Sequence, residues 1–285
     1  MQAMVRVLLV MAWCAAWPCS TEAELTGDQA ALIQDVIRLS GLQDQLDRIP
    51  GQMQAQLEAR KDELSAEASK RVQAVIAKAF DAKRLHVGAI EMFSQRADTE
   101  RLQQVAQWLR GPLGSRMTAL EVAATRPDAE PALREFMAQL QAAPPSPARL
   151  ELAKRLSEAT DAPDAALRLM TAMVQGMADA FDAARDDGTS ASRQEVEAAL
   201  AQLRSQREIV VQGILVKLLF TYRDASEQEL SDYAAFWESD LGRWFNGLSV
   251  DAFTTSLTGA STAMAQELAP LAGAPPAGGT APKTE

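Results

Sequence analysis

Cysteine and histidine are scarce in this chain of 285 residues, which contains two cysteines and one histidine. Both cysteines, Cys14 and Cys19, lie in an N-terminal segment that is predicted below to be removed, so the mature chain is expected to be cysteine-free. Disulfide bonds, thiolate chemistry and zinc sites built from cysteine and histidine are therefore excluded for the mature protein.

The sequence also lacks the common catalytic patterns. His86 is the only histidine, and no Gly-x-Ser-x-Gly elbow occurs that would accompany a Ser-His-Asp site. There is no glycine-rich phosphate loop and no dinucleotide fingerprint. Acidic pairs such as Asp186-Asp187 are expected to be solvated charges in a turn or on a polar helix face. We therefore predict a non-enzymatic protein without a metal or cofactor; a hydrolase that uses carboxylates stays open as a third alternative.

Positive charge is in short supply. Lysine and arginine number 28 against 38 aspartates and glutamates, which gives a formal net charge of −10. A protein that binds nucleic acid or an anionic membrane surface needs clustered basic side chains, whereas here the basic residues are scattered among more numerous acids. The sequence thus predicts no nucleic-acid partner, and the negative charge favours solubility.

The only long apolar run near the N-terminus is too short to cross a membrane. It extends from Val7 to Trp17 after Arg6, whereas a spanning helix needs about 20 apolar residues. With small residues at Thr21 and Ala23, the pattern predicts a signal peptide over 1–23 and a periplasmic protein with no transmembrane span after cleavage. Cys19 raises a lipoprotein alternative, but it follows Trp17-Pro18 where small residues are expected, so lipid anchoring is not predicted.

No segment of the mature chain shows the alternation of apolar and polar residues that is typical of strands. Apolar residues recur instead at helical spacing, as in the stripes Leu32, Ile33, Val36, Leu39 and Val72, Val75, Ile76, Ala79. The fold is therefore predicted to be all-α. Gly41, Pro50, Gly111-Pro112 and Pro163 are expected to interrupt the pattern, so that many short helices form.

Two shifts of composition predict boundaries. The stretch 142–148 contains three prolines between helical regions and is predicted to be a linker. From residue 269 the chain is rich in alanine, proline and glycine with little apolar surface, so 269–285 is predicted to be a disordered tail.

A tract of the chain occurs twice. Laying residues 102–122 on 230–250 pairs Leu102 with Leu230, Gly114 with Gly242 and Val122 with Val250. A fainter match places Asp44 on Asp161. These matches predict two similar helical repeats, at 24–141 and 149–268.

The repeated tract has the features of two helices joined by a sharp elbow. In the second copy, Ser226 and Glu229 form a predicted capping box, and Ser239 is placed to cap the next helix. The first copy uses Gly111 as the cap and a proline at the first helical position. The resulting candidate site, either structural or an interaction surface, comprises Trp108, Pro112, Gly114, Phe236, Trp237, Ser239, Gly242 and Arg243.

At these residues the chain resembles a family of exported bacterial proteins. The segment Ser226-Glu-Gln-Glu-Leu230, followed by Phe236-Trp-Glu-Ser-Asp-Leu-Gly-Arg243, is similar to the signature of a domain of unknown function that is numbered twenty fifty-nine. The resemblance covers roughly 215–257, and Asp240 stands where the family has proline. It implies a helical fold and a periplasmic location, and it supplies no catalytic residues.

Two hypotheses for the function follow. The leading one is a non-enzymatic interaction or scaffold protein of the bacterial envelope, whose partner is an unidentified envelope protein. The alternative is a carrier of an apolar small molecule or lipid in a groove between helices, which is favoured by adaptable methionines at 170, 173 and 177. The apolar segment Ile209–Phe220 is predicted to be a helix buried inside the second repeat, with a groove-forming helix as the alternative.

Overall fold

The computed structural model describes residues 27–59, 66–183 and 193–272. Within these ranges the chain forms α-helices and no strand, which confirms the predicted all-α fold. The predicted signal peptide 1–23, the stretch 184–192 and residues 273–285 lie outside the described residues.

The helices follow one another through short turns. They are α1 (Gly27–Leu39), α2 (Leu42–Glu58), α3 (Ala66–Ala79), α4 (Ala82–Arg96), α5 (Thr99–Arg110), α6 (Pro112–Ala124), α7 (Ala129–Ala142), α8 (Pro147–Ala159), α9 (Ala162–Ala183), α10 (Arg193–Ser205), α11 (Arg207–Thr221), α12 (Glu227–Glu238) and α13 (Asp240–Ala272).

Three stretches differ from the sequence-based expectation. Pro50 lies inside α2 and does not end it, although proline removes one backbone hydrogen bond from a helix interior. The predicted linker 142–148 contains the end of α7 and the start of α8, which leaves only residues 143–146 between the helices. The last helix, α13, has 33 residues and continues to Ala272, four residues into the range expected to be disordered.

The turns α1–α2 and α8–α9 have the same hydrogen-bond pattern. The N–H of Ser40 donates to the carbonyl of Val36 at 2.9 Å, and the N–H of Thr160 donates to that of Leu156 at 3.1 Å. Each turn then contains a residue with positive φ, Gly41 at 74° in the first and Asp161 at 49° in the second.

This shared turn changes the register of the fainter sequence match. Because Gly41 and Asp161 occupy the same position, the structure pairs Asp44 with Asp164, whereas the sequence match placed Asp44 on Asp161. Asp161 takes the left-handed conformation that glycine adopts without cost and that aspartate tolerates better than most residues.

Two ion pairs, one in each half, agree with this correspondence between the halves, although their charges are reversed. In the first half of the chain (α1–α6), Asp35 of α1 contacts Arg110 at the end of α5. In the second half (α8–α13), Arg155 of α8 contacts Glu238 at the end of α12, with both nitrogen-to-oxygen distances at 2.6 Å. In the first half the acid lies on the earlier helix and the base on the later one, and in the second half this order is reversed. The same contact between helices is therefore made in both halves with the charges interchanged. The two halves thus share a turn and the position of an ion pair, and the duplication stays a prediction.

The last helix of each half packs into the other half. α6 contacts α11 and α12, and α13 contacts α3, α4 and α5 as well as α9. The first core consists of apolar side chains from α1 to α5 together with α13. The second core is smaller and contains Met117 of α6 with residues of α8, α12 and the turn before α12.

Candidate functional site

The two elbows have the same backbone geometry. The N–H of Gly111 donates to the carbonyl of Trp108 at 2.9 Å, and the N–H of Ser239 donates to that of Phe236 at 3.0 Å. The two cap residues are extended, with φ and ψ of −65° and 160° at Gly111 and −70° and 160° at Ser239. Each elbow therefore turns the chain directly from one helix into the next.

Each elbow needs a glycine because the preceding helix leaves no space for a side chain at that position. A Cβ atom at Gly242 would lie 2.0 Å from the carbonyl oxygen of Phe236 and 2.7 Å from the Cα of Trp237. At Gly114 the corresponding distance to the Trp108 oxygen is 2.5 Å. The close approach at Gly242 is thus made by the helix that directly precedes it in the chain.

The predicted caps are present. The hydroxyl of Ser226 accepts from the N–H of Glu229 at 3.2 Å, while the Glu229 carboxylate accepts from the Ser226 N–H at 2.8 Å, which completes a capping box. The hydroxyl of Ser239 accepts from the N–H of Gly242 at 3.0 Å. Pro112 occupies the first turn of α6, where its missing N–H costs nothing.

The two elbows meet through their aromatic residues. Trp108 stacks on Phe236 with ring centroids 3.5 Å apart and planes inclined by 9°. These two residues occupy equivalent positions when 102–122 is laid on 230–250. Trp108 and Trp237 are half-buried and pack against both cores, so the elbows join the two halves of the molecule.

The predicted site residue Arg243 and its neighbour Trp244 make local contacts. Arg243 is exposed and pairs with Asp240 of its own helix at 2.6 Å. Trp244 is half-buried, and the guanidinium of Arg101 lies 5.6 Å from its ring centroid. Of the eight predicted residues, only Trp237 reaches a cavity described below.

A cavity of about 310 Å³ lies between the two halves. It is lined by residues of the α1–α2 turn and of α2, α5, α6, α9, α12 and α13, so that both elbows contribute to its walls, and it is partly open to solvent. The lining residues are Ser40, Leu42, Gln45, Leu109, Thr118, Glu121, Ala165, Ala166, Leu169, Tyr233, Trp237, Phe245, Ser249, Val250, Phe253 and Thr254. Most of the wall is aliphatic or aromatic, which is typical of sites for small organic molecules.

One carboxylate forms the polar side of this cavity. Glu121 of α6 accepts hydrogen bonds from the hydroxyls of Tyr222 and Tyr233, both at its Oε1 atom. These are the only two tyrosines of the chain. The arrangement joins α6 of the first half to α12 and the end of α11 of the second half.

Burial controls the protonation of this cluster. Glu121 is half-buried and lines two cavities, and burial is the largest influence raising the pKa of its carboxyl above 4.5. The two tyrosine hydroxyls lower that pKa in part. The pKa values of Tyr222 and Tyr233 lie well above 10.0, first through burial and then through the charge of Glu121.

Two further polar atoms of the cavity residues lack partners. The indole Nε1 of Trp237 and the hydroxyl of Ser249 are buried and make no hydrogen bond within the described residues. The indole N–H of Trp237 lowers the pKa of the Tyr233 hydroxyl in part, against the larger effect of burial. Buried polar groups usually have a partner, and each exception in a native structure calls for an explanation.

A second cavity, of about 340 Å³, also has Glu121 in its wall. Its wall includes Ile214, Lys217 and Leu218 of α11. The sequence predicted that this apolar helix is buried, but Ile209 exposes 68% of its surface and Lys217 is also exposed. Only Leu219 to Thr221, at its end, are buried. The alternative of a groove-forming helix agrees better with this placement.

Two further observations concern the described part of the chain. No group of three or more His, Cys, Asp or Glu side chains is placed there to bind a metal ion. None of its helices combines the length and apolarity that crossing a membrane requires.

Sequence reasoning missed Glu121, Tyr222, Tyr233 and Ser249. These residues are far apart in the sequence, and no local motif links them. One signal was available, because Glu121 and Ser249 occupy equivalent positions of the repeated tract and differ in polarity and size.

The fold and the cavity define an all-α protein with a largely apolar cavity whose wall includes one carboxyl group. In comparisons with protein-family models, curated proteins and solved structures, nothing matches this chain. The resemblance of residues 215–257 to the domain of unknown function therefore stays a proposal.

Proposed function

We propose that this chain is a non-enzymatic binding protein of the bacterial envelope and that the cavity beside Glu121 binds a small, largely apolar molecule. The observation that carries the proposal is a cavity of about 310 Å³ between the two halves that is partly open to solvent, with mostly apolar walls and a single acidic side chain among its lining residues. Preformed pockets of a few hundred Å³ with few polar groups are the usual form of small-molecule sites. The envelope location rests on the sequence of the N-terminal segment.

The walls of the cavity favour binding over catalysis. Among the described residues that line the cavity, Glu121 is the only acid, and none is a histidine, cysteine, lysine or arginine. General acid–base catalysis ordinarily uses groups of tuned pKa within reach of the substrate, and a lone carboxyl that already accepts two tyrosine hydroxyls offers limited means for it.

A variant that fills the cavity tests this function. Ala166→Leu places a larger side chain in the cavity wall, and Ala235→Leu makes the same change at an exposed position of α12 as the control. The probe is an uncharged naphthyl dye whose fluorescence rises in apolar surroundings. We expect the dye to bind the natural chain and the Ala235→Leu variant and to bind the Ala166→Leu variant at least about tenfold more weakly. Equal binding by all three proteins would contradict the proposal.

Interaction with another envelope protein is a second candidate function. It is favoured by the exposed apolar side of α11, where Ile209 lies open to solvent. A photocrosslinking residue at position 209 should then capture one specific envelope protein in intact cells. The same residue at Val87 of α4, which exposes 52% of its surface, is the control. Identical captured proteins at both positions would show that exposure alone causes the crosslinks.

A further inference from the structure

We infer that the first cavity and the second cavity form one elongated site for a single-chain fatty acid, whose acyl chain extends into the first cavity and whose carboxylate lies in the second, near Lys217. The inference rests on the proposed function and specifies the class of its ligand. Three observations carry it: the wall that the two cavities share, their volumes and the position of a basic side chain in the second.

The two cavities adjoin. Ser40, Gln45 and Glu121 line both of them. Gln45 is exposed, and Ser40 and Glu121 are half-buried. The boundary between the cavities is therefore not part of either core, and both cavities are partly open to solvent.

Two helices pass along both cavities, each with one face. The lining positions on each helix are spaced i, i+3, i+4 and i+7, which places them on one side over a length of about 10 Å. They are Thr118, Glu121, Val122 and Thr125 of α6 and Ala162, Ala165, Ala166 and Leu169 of α9.

The order of these positions places the cavities end to end. Along α6 the lining passes from the first cavity to the second at Glu121, which belongs to both. Along α9 the order is the opposite, because Ala162 lines the second cavity and the three later positions line the first. The cavities thus follow one another between the same two helices, as the two ends of one groove.

The volumes define the length of the ligand. An engineered cavity of about 150 Å³ binds benzene, which has six non-hydrogen atoms. The first cavity, of about 310 Å³, and the second, of about 340 Å³, each have about twice that volume and each suit about twelve non-hydrogen atoms. A fatty acid of about 14 to 18 carbons is too large for one cavity and fits in the two together, whereas a two-chain lipid exceeds both.

Lys217 marks the polar end of the groove. It is the only basic side chain among the described residues that line either cavity. It lies five residues before Tyr222, whose hydroxyl donates to Glu121, and is therefore about 7 Å along α11 from the junction of the cavities. Lys217 is exposed, so a carboxylate beside it keeps part of its hydration while the acyl chain leaves water in the apolar first cavity.

The opposite orientation is disfavoured by charge. A carboxylate in the first cavity would have the acid Glu121 in the same wall and no basic side chain among the described residues that line it. Two adjacent carboxylates cannot both ionise without a large cost. Charge complementarity therefore places the head group in the second cavity.

The length of the acyl chain tests the elongated site. Decanoate has twelve non-hydrogen atoms and fits in one cavity, whereas tetradecanoate has sixteen and does not. Binding is measured by displacement of the naphthyl dye from the full mature chain. We expect tetradecanoate to bind at least about tenfold more tightly than decanoate, because its additional methylene groups leave water in the adjoining cavity.

A matched pair of variants separates the two cavities. Ala162→Leu places a larger side chain in the second cavity, as Ala166→Leu does in the first. The Ala162→Leu variant should still bind the dye, which shows that it is folded, and should bind tetradecanoate no more than about threefold more tightly than decanoate. An unchanged preference for the longer chain in this variant, or no such preference in the natural chain, would overturn the inference while the proposed function stands. If neither the dye nor either acid binds the natural chain, the proposed function fails as well.

The charge of the head group tests the role of Lys217. We expect tetradecanoate to bind at least about threefold more tightly than tetradecylammonium, which has the same chain length and the opposite charge. Lys217→Met should remove this difference by weakening tetradecanoate binding about threefold, and Lys83→Met, at an exposed position of α4 outside both cavities, is the control. Equal binding of the two probes by the natural chain, or equal tetradecanoate affinity in the two lysine variants, would overturn the placement of the carboxylate and with it the inference.

Discussion

Gly114 and Gly242 show how a single residue can determine the path of the chain. Each glycine lies two residues after the start of a helix, directly against the last carbonyls of the helix before it. Neither has a positive φ, so what these positions require is the missing Cβ atom and not unusual backbone freedom. The neighbouring atoms belong to the backbone, and a larger residue cannot be accommodated by a change of side-chain rotamer.

Replacing Gly242 with alanine should therefore destabilise the protein strongly. The added Cβ would meet the Phe236 oxygen at 2.0 Å, and we expect Gly242→Ala to reduce the free energy of unfolding by about 3 kcal/mol or more. Gly247→Ala in the same helix meets nothing within 4 Å and should raise it by about 0.5–1 kcal/mol. Urea denaturation measures both. Similar values for the two variants would show that the elbow adjusts easily.

At the scale of helices, the contact between the first and fifth helix of each half is conserved while its charges are not. Asp35 and Arg110 make it in the first half, and Arg155 and Glu238 make it in the second. The hydrogen bond from Arg38 is the first cause that keeps the pKa of Asp35 low, and Arg110 adds to it. Helix packing in each half thus tolerates either direction of the ion pair.

Exchanging the charges in the first half tests this tolerance. Asp35→Arg alone brings three arginines together, with Arg38 and Arg110, and should cost about 1 kcal/mol of stability. Adding Arg110→Glu should restore stability to within about 0.5 kcal/mol of the natural chain, because the new glutamate can pair with both arginines. The measurement is a double-mutant cycle by chemical denaturation. A double variant no more stable than the single one would contradict the expectation.

The sequence was most informative about helices and their ends. Helical spacing and capping residues such as Ser226, Ser239 and Pro112 act over one turn, so they can be read locally. Ile209 is exposed, and α2 continues past Pro50. Both features depend on which helices pack nearby, and local sequence patterns do not contain that information. The cluster around Glu121 could not be predicted because the tyrosines come from another part of the sequence.

At the scale of the whole molecule, the Glu121 cluster lies where the two halves meet. Its carboxyl comes from the first half, and the two tyrosines that donate to it come from the second. Because burial raises the pKa of Glu121 in the folded protein, ionisation of this carboxyl opposes folding. The contribution of the Glu121 carboxyl to the free energy of unfolding is fully present below its ordinary pKa of 4.5. This contribution is lost as the pH rises through the pKa that the carboxyl has in the folded protein.

Glu121→Gln should remove this pH dependence. The stability of the variant relative to the natural chain should increase as the pH rises above 4.5, by at most about 1.4 kcal/mol per pH unit. Glu229→Gln should give a stability difference with the opposite pH dependence. The Ser226 backbone N–H lowers the pKa of Glu229, so this variant should lose less stability relative to the natural chain as the pH falls below 4.5. Denaturation curves on both sides of that pH measure the two effects. A flat difference for Glu121→Gln would show that this carboxyl is solvated.

The position of α13 also has a consequence for the order in which the protein can fold. Five residues of the first core, Phe245, Leu248, Ala252, Leu257 and Ala260, belong to this last helix, while the rest of that core comes from the beginning of the chain. During synthesis, the apolar faces of the N-terminal helices therefore stay uncovered until α13 has been made. Until then the first core stays incomplete, and the N-terminal helices keep apolar surface exposed to other chains.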